Sequence, residues 1–167
     1  MTPGIQIRVA DANDDRQLAE LDANSWPVAL QVAPPQPAHE PFFNATRQPA
    51  DVIVADQSGS IAGYLRLGRH MRIPSNDHVL HIDALVVAPD ARGSGLGSRL
   101  VEAAIEEARD RGIAKLGLRA LSNNPTAIGL YKRHGFVEEG RLKAELRRED
   151  GTYADDIWMA LWLAEPA

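Results

Sequence analysis

A glycine-rich bend at residues 92–97 carries the clearest chemistry in this sequence. It reads Arg-Gly-Ser-Gly-Leu-Gly and follows a short, β-branched apolar run that Pro89 closes. Apolar residues recur at helical spacing just behind it, at Leu96, Leu100, Val101, Ala104, Ile105 and Ala108. Glycines let backbone N–H groups close around an anion, and a helix N-terminus adds partial positive charge. The stretch therefore predicts a strand, an anion-binding bend and a helix. The bend is expected to bind a ligand that carries a phosphate group.

Three kinds of phosphate loop compete for this bend, beside the plain alternative of a tight turn before an ordinary helix. The P-loop needs a Gly-Lys-Ser/Thr ending, and no Lys follows these glycines. The dinucleotide fingerprint fails as well, because Ser98 or Leu100 stands where its third glycine belongs. The third pattern is Arg/Gln-x-x-Gly-x-Gly/Ala after a strand, and Arg92, Gly95 and Gly97 match it. The bend thus resembles the coenzyme A pyrophosphate loop of the GCN5-related N-acetyltransferases, the GNAT family.

A second stretch strengthens this resemblance. Residues 124–131 read Asn-Pro-Thr-Ala-Ile-Gly-Leu-Tyr, and Gly135-Phe136 follows, as in the second signature of the family. The two signatures have the family's order and spacing, so the resemblance covers roughly residues 51–163. A weaker cue is Gly151-x-Tyr153-x-Asp155, which resembles members that act on amino acids and small amines. The resemblance implies the GNAT fold and an acetyl-CoA-dependent transfer of acetyl to an amine.

The resemblance also assigns residues to the coenzyme. Family members open a wedge between two parallel strands for the pantetheine arm, here residues 82–88 and 114–120. Peptide groups near 85–87 then pair with pantetheine amides, and the amides of 93–98 cap the pyrophosphate. Tyr131 takes the position that protonates the coenzyme thiolate, although it could simply pack on the sheet. Asn124 could bond the coenzyme, cap a helix, or do both. The cofactor-binding residues so implied are Leu85, Val86, Val87, Arg92, Gly93, Ser94, Gly95, Leu96, Gly97, Ser98, Asn124, Ala127 and Tyr131.

The base that would deprotonate the acceptor amine is less clearly marked. His81 lies near the position where some family members carry a catalytic glutamate, and this chain has no Glu there. Histidine titrates near neutrality, so His81 is the candidate base, with Asp83 on the same strand face to orient it unless a bulge intervenes. The alternative for each residue is that it belongs to the polar start of the strand and is simply exposed to solvent. The acceptor could also attack without a dedicated base. No metal site is expected, because the histidine spacings do not repeat.

Composition narrows the class of protein. The chain has 167 residues, of which 44% are hydrophobic and 25% charged, which suits one domain over 1–167 with a substantial core. The absence of cysteine rules out disulfides and thiolate nucleophiles. A net charge of −5 argues against a nucleic-acid binder. Apolar stretches are too short to span a bilayer and the N-terminus lacks a signal-peptide core, so no membrane partner and a cytoplasmic location are expected.

The elements that must position these residues follow from periodicity and turn signals. The predicted order is strand, helices, three strands, helix, strand, helix and two strands, in an α/β fold with a mixed, mostly antiparallel sheet of about seven strands. The two parallel strands at its centre, residues 82–88 and 114–120, are the ones between which the wedge opens, and a right-handed crossover joins them. Residues 26–49 are proline-rich and lack a pattern; they form either a floppy loop or a substrate-covering segment.

The sequence therefore predicts an N-acetyltransferase that takes acetyl-CoA and a small-molecule amine. Two alternatives stay open: a transferase acting on peptide or protein amines, and a silent acyl-CoA-binding protein. The acceptor is not specified, because its determinants fall in the motif-poor segments 26–50 and 70–78. Trp158 and Trp162 fall opposite the inward residues of the last strand. We expect them to be core under a helix; left uncovered, they would indicate a homodimer surface.

Overall fold

Seven strands form one mixed sheet in the computed structural model, which describes residues 4–165. The strands are β1 (Ile5–Val9), β2 (Val52–Gln57), β3 (Ser60–Gly68), β4 (Val79–Val87), β5 (Lys115–Leu121), β6 (Val137–Arg147) and β7 (Tyr153–Trp162). The helices are α1 (Asp15–Ser25), α2 (Leu96–Asp110) and α3 (Pro125–Arg133). The strand order β1-β2-β3-β4-β5-β7-β6 confirms the predicted α/β class and element order.

The centre of the sheet splits between its two parallel strands. β4 pairs with β5 from Val79↔Lys115 to Ile82↔Leu118 and no further. Beyond that point β4 keeps its antiparallel partner β3 through Val87, and β5 keeps β7 through Leu121. The expected splay of the parallel pair is therefore confirmed, and it begins at Ile82 and Leu118.

Local signals in the sequence set the helix starts. Before α1, the Asp11 side chain accepts a hydrogen bond from the Asn13 N–H at 2.7 Å and so caps the short 3-10 turn Ala12–Asp14 that leads into the helix. α2 starts directly after Gly95, whose φ of +85° is a left-handed conformation that glycine adopts without strain. No helix among residues 4–165 is both long and apolar enough to cross a membrane.

The two faces of the sheet carry different helices and two apolar clusters. α2 and α3 cover one face, where Leu100, Val101 and Ala104 of α2 pack on Leu65, Leu116 and Leu118. α1 covers part of the opposite face, where Leu18 packs on Val52, Val54, Tyr64 and Val86. The part of the second face beside the split, between α1 and β7, is where the polar side chains described below gather.

The last hairpin is irregular on β6, and its tryptophans are not where they were expected. Leu142, in the run 140–147 where apolar and charged residues alternate, is 46% exposed; the register with β7 shifts twice here and Ala144 adopts a left-handed φ of +54°. Trp162 is 41% exposed and Trp158 is only half-buried, so neither is a core residue under a helix. Each indole instead lies beside a cation, Lys115 at 5.2 Å and Arg119 at 5.1 Å from the ring centroid.

Candidate active site at the split of the sheet

The glycine bend forms an open cradle between the end of β4 and the start of α2. Gly93 and Gly95 have φ values of +76° and +85°, and a Cβ on either would meet nothing within 4 Å. Their glycine identity is thus required by backbone conformation and not by lack of space. Gly97 differs, since its Cβ would lie 3.3 Å from Leu130, so it lets α2 and α3 approach each other. This arrangement leaves backbone N–H groups at a helix N-terminus free to hold an anion such as a pyrophosphate.

The side chains of the bend are mostly occupied by the protein itself. Arg92 donates from Nε to the Val87 carbonyl at 3.2 Å and from Nη2 to the Ser25 carbonyl. Ser94 Oγ donates to the Ala91 carbonyl at 2.6 Å. What Arg92 and Ser94 can offer a phosphate is therefore chiefly their backbone, and their predicted coenzyme contact stays a prediction.

Ser98 has a partner that sequence reasoning missed. Its Oγ lies 2.7 Å from Nε2 of His134, which ends α3. The imidazole therefore stands one hydrogen bond from the first turn of α2, where the resemblance places a phosphate. The signal that could have found it is its spacing, since His134 follows Tyr131 by three residues on the same helix.

Tyr131 and Asn124 lie on the other side of the split, on α3. Asn124 Oδ1 accepts from the Ala127 N–H at 3.2 Å, so the cap role of Asn124 is confirmed and its coenzyme role stays a prediction. Tyr131 is 7% exposed and packs edge-to-face on Phe136 at 5.7 Å. No residue within 4–165 gives its hydroxyl a hydrogen bond, and burial raises the pKa of the phenol well above its usual range. Tyr131 thus keeps its proton at neutral pH and has it available to donate.

His81 and Asp83 lie on the face opposite α2, beside the split. A β-bulge does intervene, since Ile82 pairs with Leu67 and Ala84 with Arg66 while Asp83 has no partner in the register. The bulge nevertheless leaves the Asp83 carboxylate on the His81 face, because a Cβ on Gly68 would collide with it. The nearest charge to this carboxylate is Arg66, at 3.9 Å. Both candidates are therefore placed together, and their catalytic roles stay predictions.

The surroundings of His81 lower the pKa of its imidazole. Burial is the main cause, and the neighbouring His70 and the cations Lys115 and Arg119 act in the same direction, while Asp83 opposes them. The ring centroid lies 5.6 Å from that of His70 and 6.0 Å from that of Trp158. A neutral imidazole at pH 7 is the form that can accept a proton from an amine.

Arg119 and Asp156 form a second charged pair on this face, and sequence reasoning missed both. Arg119 is the first β5 residue beyond the last pair with β4, and it lies opposite Trp158 of β7. Its Nε donates to Asp156 Oδ2 at 2.9 Å, and its Nη2 donates to the same oxygen. The pair lies near His81 on the face opposite α2, with the guanidinium as its more exposed member.

The segment of residues 25–32, which we call the bridging segment, spans the split on this face. At one end the Ser25 carbonyl is held by Arg92 after β4, and further along the Ala29 carbonyl accepts from Asn123 after β5 at 2.9 Å. Asp22 anchors its start by accepting from Trp26 Nε1 at 2.8 Å and from the buried Tyr64 hydroxyl. The start of the proline-rich stretch is thus tied to both sides of the split and is not a floppy loop.

Comparison with known proteins fits this geometry. Residues 16–136 match the model of the acetyltransferase (GNAT) family. The chain is 32% identical over 122 residues to the L-methionine sulfoximine/L-methionine sulfone acetyltransferase of Pseudomonas aeruginosa, covering 72% of this chain and 69% of the relative. It is 29% identical over 114 residues to an L-amino acid N-acyltransferase of Escherichia coli, covering 68% of this chain and 65% of the relative.

Solved structures share the fold. A GNAT superfamily phosphinothricin acetyltransferase from Sinorhizobium meliloti, determined in complex with acetyl-CoA, superposes with a TM-score of 0.80. The alignment covers 100% of this chain and 91% of that chain at 23% identity. The split sheet and its helices are thus the architecture of that protein.

Proposed function

The chain belongs to the acetyltransferase (GNAT) family and is an acetyl-CoA-dependent N-acetyltransferase; we propose that it acts on the primary amine of a small amino acid or a simple amine. The observation that carries the small acceptor is the bridging segment, which is hydrogen-bonded to both sides of the split and would limit the room for an acceptor beside it. The names of the relatives support the same class of acceptor, since two of them act on amino acids. We propose that the chain works as a single catalytic domain.

The cradle and the split fit acetyl-CoA. The N–H groups of 93–98 would hold its pyrophosphate, and the edge of Leu85–Val87 that β5 leaves unpaired would bond an extended amide chain. When bound there, the coenzyme supplies a thioester carbonyl for attack. The chain's own residues would accept and donate the protons that move during the reaction.

We propose that His81 and Tyr131 hold the two protons that move. His81, kept neutral by its surroundings, accepts the proton that the amine loses as its nitrogen bonds to the acetyl carbon. Tyr131, kept protonated by burial, donates to the sulfur as the carbon–sulfur bond breaks. Asp83 lies on the same face as His81, where it can orient the imidazole directly or across a water.

One panel assay tests this proposal. Thiol release from acetyl-CoA is followed with L-amino acids, polyamines, aminoglycosides and short peptides at matched concentrations. We expect turnover with small amines, amino acids above all, and little with peptides. Turnover confined to peptides would favour the peptide or protein acetyltransferase, and coenzyme binding without turnover on any amine would favour the silent binding protein.

Two further expectations stay predictions. A homodimer is one, and the exposed Trp162 on the last strand is the surface where it would form. Light scattering during size-exclusion chromatography tests it. The cytoplasmic location is the other.

A further inference from the structure

In the ion pair of Arg119 and Asp156, the carboxylate is buried and the guanidinium is exposed to solvent. The Asp156 side chain is 2% exposed, whereas the Arg119 side chain is 47% exposed. A buried carboxylate needs a compensating charge, and Arg119 supplies it through Nε and Nη2. Because Nε and Nη2 both donate to the same oxygen, the Nη1 end of the guanidinium takes no part in the ion pair.

The guanidinium is held in one orientation. Asp156 fixes two of its nitrogens, and the Trp158 indole supports its face at 5.1 Å. Nη1 donates to no residue within the described range 4–165. A planar cation with fixed orientation and free N–H groups is suited to bind a carboxylate.

Its place in the sheet is beside the candidate base. Arg119 follows Leu118, the last β5 residue paired with β4, so it stands at the mouth of the split on the acceptor side. Trp158 contacts both groups, since the centroid of His81 lies 6.0 Å from that of the indole. An acceptor whose amine faces His81 would therefore present its neighbouring substituent to Arg119.

We propose that Arg119 binds the carboxylate of the acceptor and that the acceptor is therefore an α-amino acid. This inference rests on the proposed function and narrows it to one substrate class. Asp156 and Trp158 are positioning residues, because they act through Arg119. An acceptor without an anionic group leaves the Nη1 end of this guanidinium without a hydrogen-bond partner on the substrate, and a site built for a polar group rejects the analogue that lacks it.

Two rival explanations define the controls. Arg119 could serve only to neutralise Asp156, in which case its loss affects all acceptors alike. Arg66 is a half-buried cation on the same face, 3.9 Å from Asp83, and it could bind the carboxylate instead. Arg141 provides a matched control, since it pairs with Glu138 and Asp155 on the edge strand, away from the split.

The test compares an acid with its amide. Values of kcat/KM are measured for L-methionine sulfone, L-methionine sulfoximine and phosphinothricin, for the carboxamide of each, and for spermidine. The amide keeps the amine and the size but loses the charge of the α-carboxylate, and comparing each variant with wild type cancels the different pKa of its amine. We expect wild type to prefer the acids, and Arg119→Gln to lower kcat/KM for the acid by about 10- to 100-fold while changing the amide less than about 3-fold. Arg119→Lys should fall between, and Arg141→Gln should match wild type.

Several results would overturn the inference. Equal losses for acid and amide in Arg119→Gln would leave Arg119 a purely structural partner of Asp156. A changed acid-to-amide ratio in Arg66→Gln but not in Arg119→Gln would assign the carboxylate to Arg66. Should Arg119→Gln not fold, the wild-type ratio decides alone: amides or spermidine acetylated as well as any acid contradict the inference, yet leave the proposed function standing. Absence of thiol release with every amine would instead contradict the proposed function.

Discussion

The imidazole of His81 lies directly over the backbone of Gly117, its partner on β5. A Cβ added at Gly117 would come within 3.0 Å of Cε1, 3.1 Å of Nε2 and 3.3 Å of Nδ1. A glycine inside a strand usually weakens it, and here its missing side chain provides the space in which the ring lies. The position of the candidate base thus depends on a residue of the neighbouring strand.

Gly117→Ala should therefore lower activity by moving His81. The contact involves all three ring atoms nearest to Gly117, so the imidazole must move by a few tenths of an ångström. Because a misplacement of about 1 Å can cost on the order of 100-fold in rate, we expect a smaller loss, of up to about 10-fold in kcat/KM, with unchanged coenzyme affinity. Gly140→Ala is the control, because a Cβ on that strand residue would meet nothing within 4 Å. Equal activity in the two variants would contradict the dependence of the site on Gly117.

The lowered pKa of His81 predicts the pH dependence of the reaction. A group that protonates below the usual histidine value of about 6.5 stays neutral at pH 7, so, apart from the titration of the acceptor amine itself, kcat/KM should fall only as pH drops below about 6.5. His70→Ala removes a neighbouring charge and some burial, and both changes raise the pKa of His81. The acidic limb should therefore move to higher pH in His70→Ala and vanish in His81→Ala, with rate recovered at high pH.

The same profiles, measured with two acceptors of different amine pKa, provide the check. A limb that moves with the acceptor and is common to wild type and His81→Ala would show that the acceptor loses its proton without this histidine.

Gly95→Asp should remove coenzyme binding by placing charge and volume in the cradle. Gly151→Asp is a matched control, since Gly151 has nearly the same φ, +83°, and equally open surroundings, but lies in the β6–β7 turn. Both variants carry the same left-handed strain, of at most about 2 kcal/mol. Calorimetry should show acetyl-CoA affinity lost in Gly95→Asp and retained in Gly151→Asp, while thermal unfolding shows similar stability. Full affinity in a folded Gly95→Asp would place the pyrophosphate elsewhere.

Tyr131→Phe should lower turnover more than coenzyme affinity, because the hydroxyl matters when sulfur gains negative charge. General acids contribute about 10²- to 10⁴-fold, and a thiolate that leaves readily puts this case near or below the lower end. Phe fills the same space against Phe136, so the fold should be kept. Tyr153→Phe, at a 60% exposed tyrosine on β7, is the control. Turnover equal to wild type in Tyr131→Phe would make Tyr131 a packing residue only.

The parts of the fold that the sequence predicted depend on short-range signals. The bend at Gly93 and Gly95 needs a left-handed backbone conformation, and Asn124 caps α3. Both features can be predicted from residue type and spacing. The order of strands and the splayed parallel pair follow from the same local patterns joined by the crossover rule. These features locate the coenzyme side of the site.

The acceptor side could not be predicted, because its residues meet only through long-range pairing. Arg119 and Asp156 are 37 residues apart and become neighbours through the β5–β7 register. Trp158 was expected in the core, since alternation says which face a side chain takes but not whether a helix covers that face. On β6 the alternation itself failed, because bulges change the register in a way that residue types do not indicate.

The bridging segment links the two halves of the sheet mechanically. It is bonded to Arg92 after β4 and to Asn123 after β5, so the distance between the split strands and the position of the segment cannot change independently. In the proposed function the coenzyme occupies the split and the acceptor lies beneath the segment. Each substrate therefore acts on a structure that the other also contacts, and thermodynamic linkage requires that the factor by which one alters the other's affinity is the same in both directions.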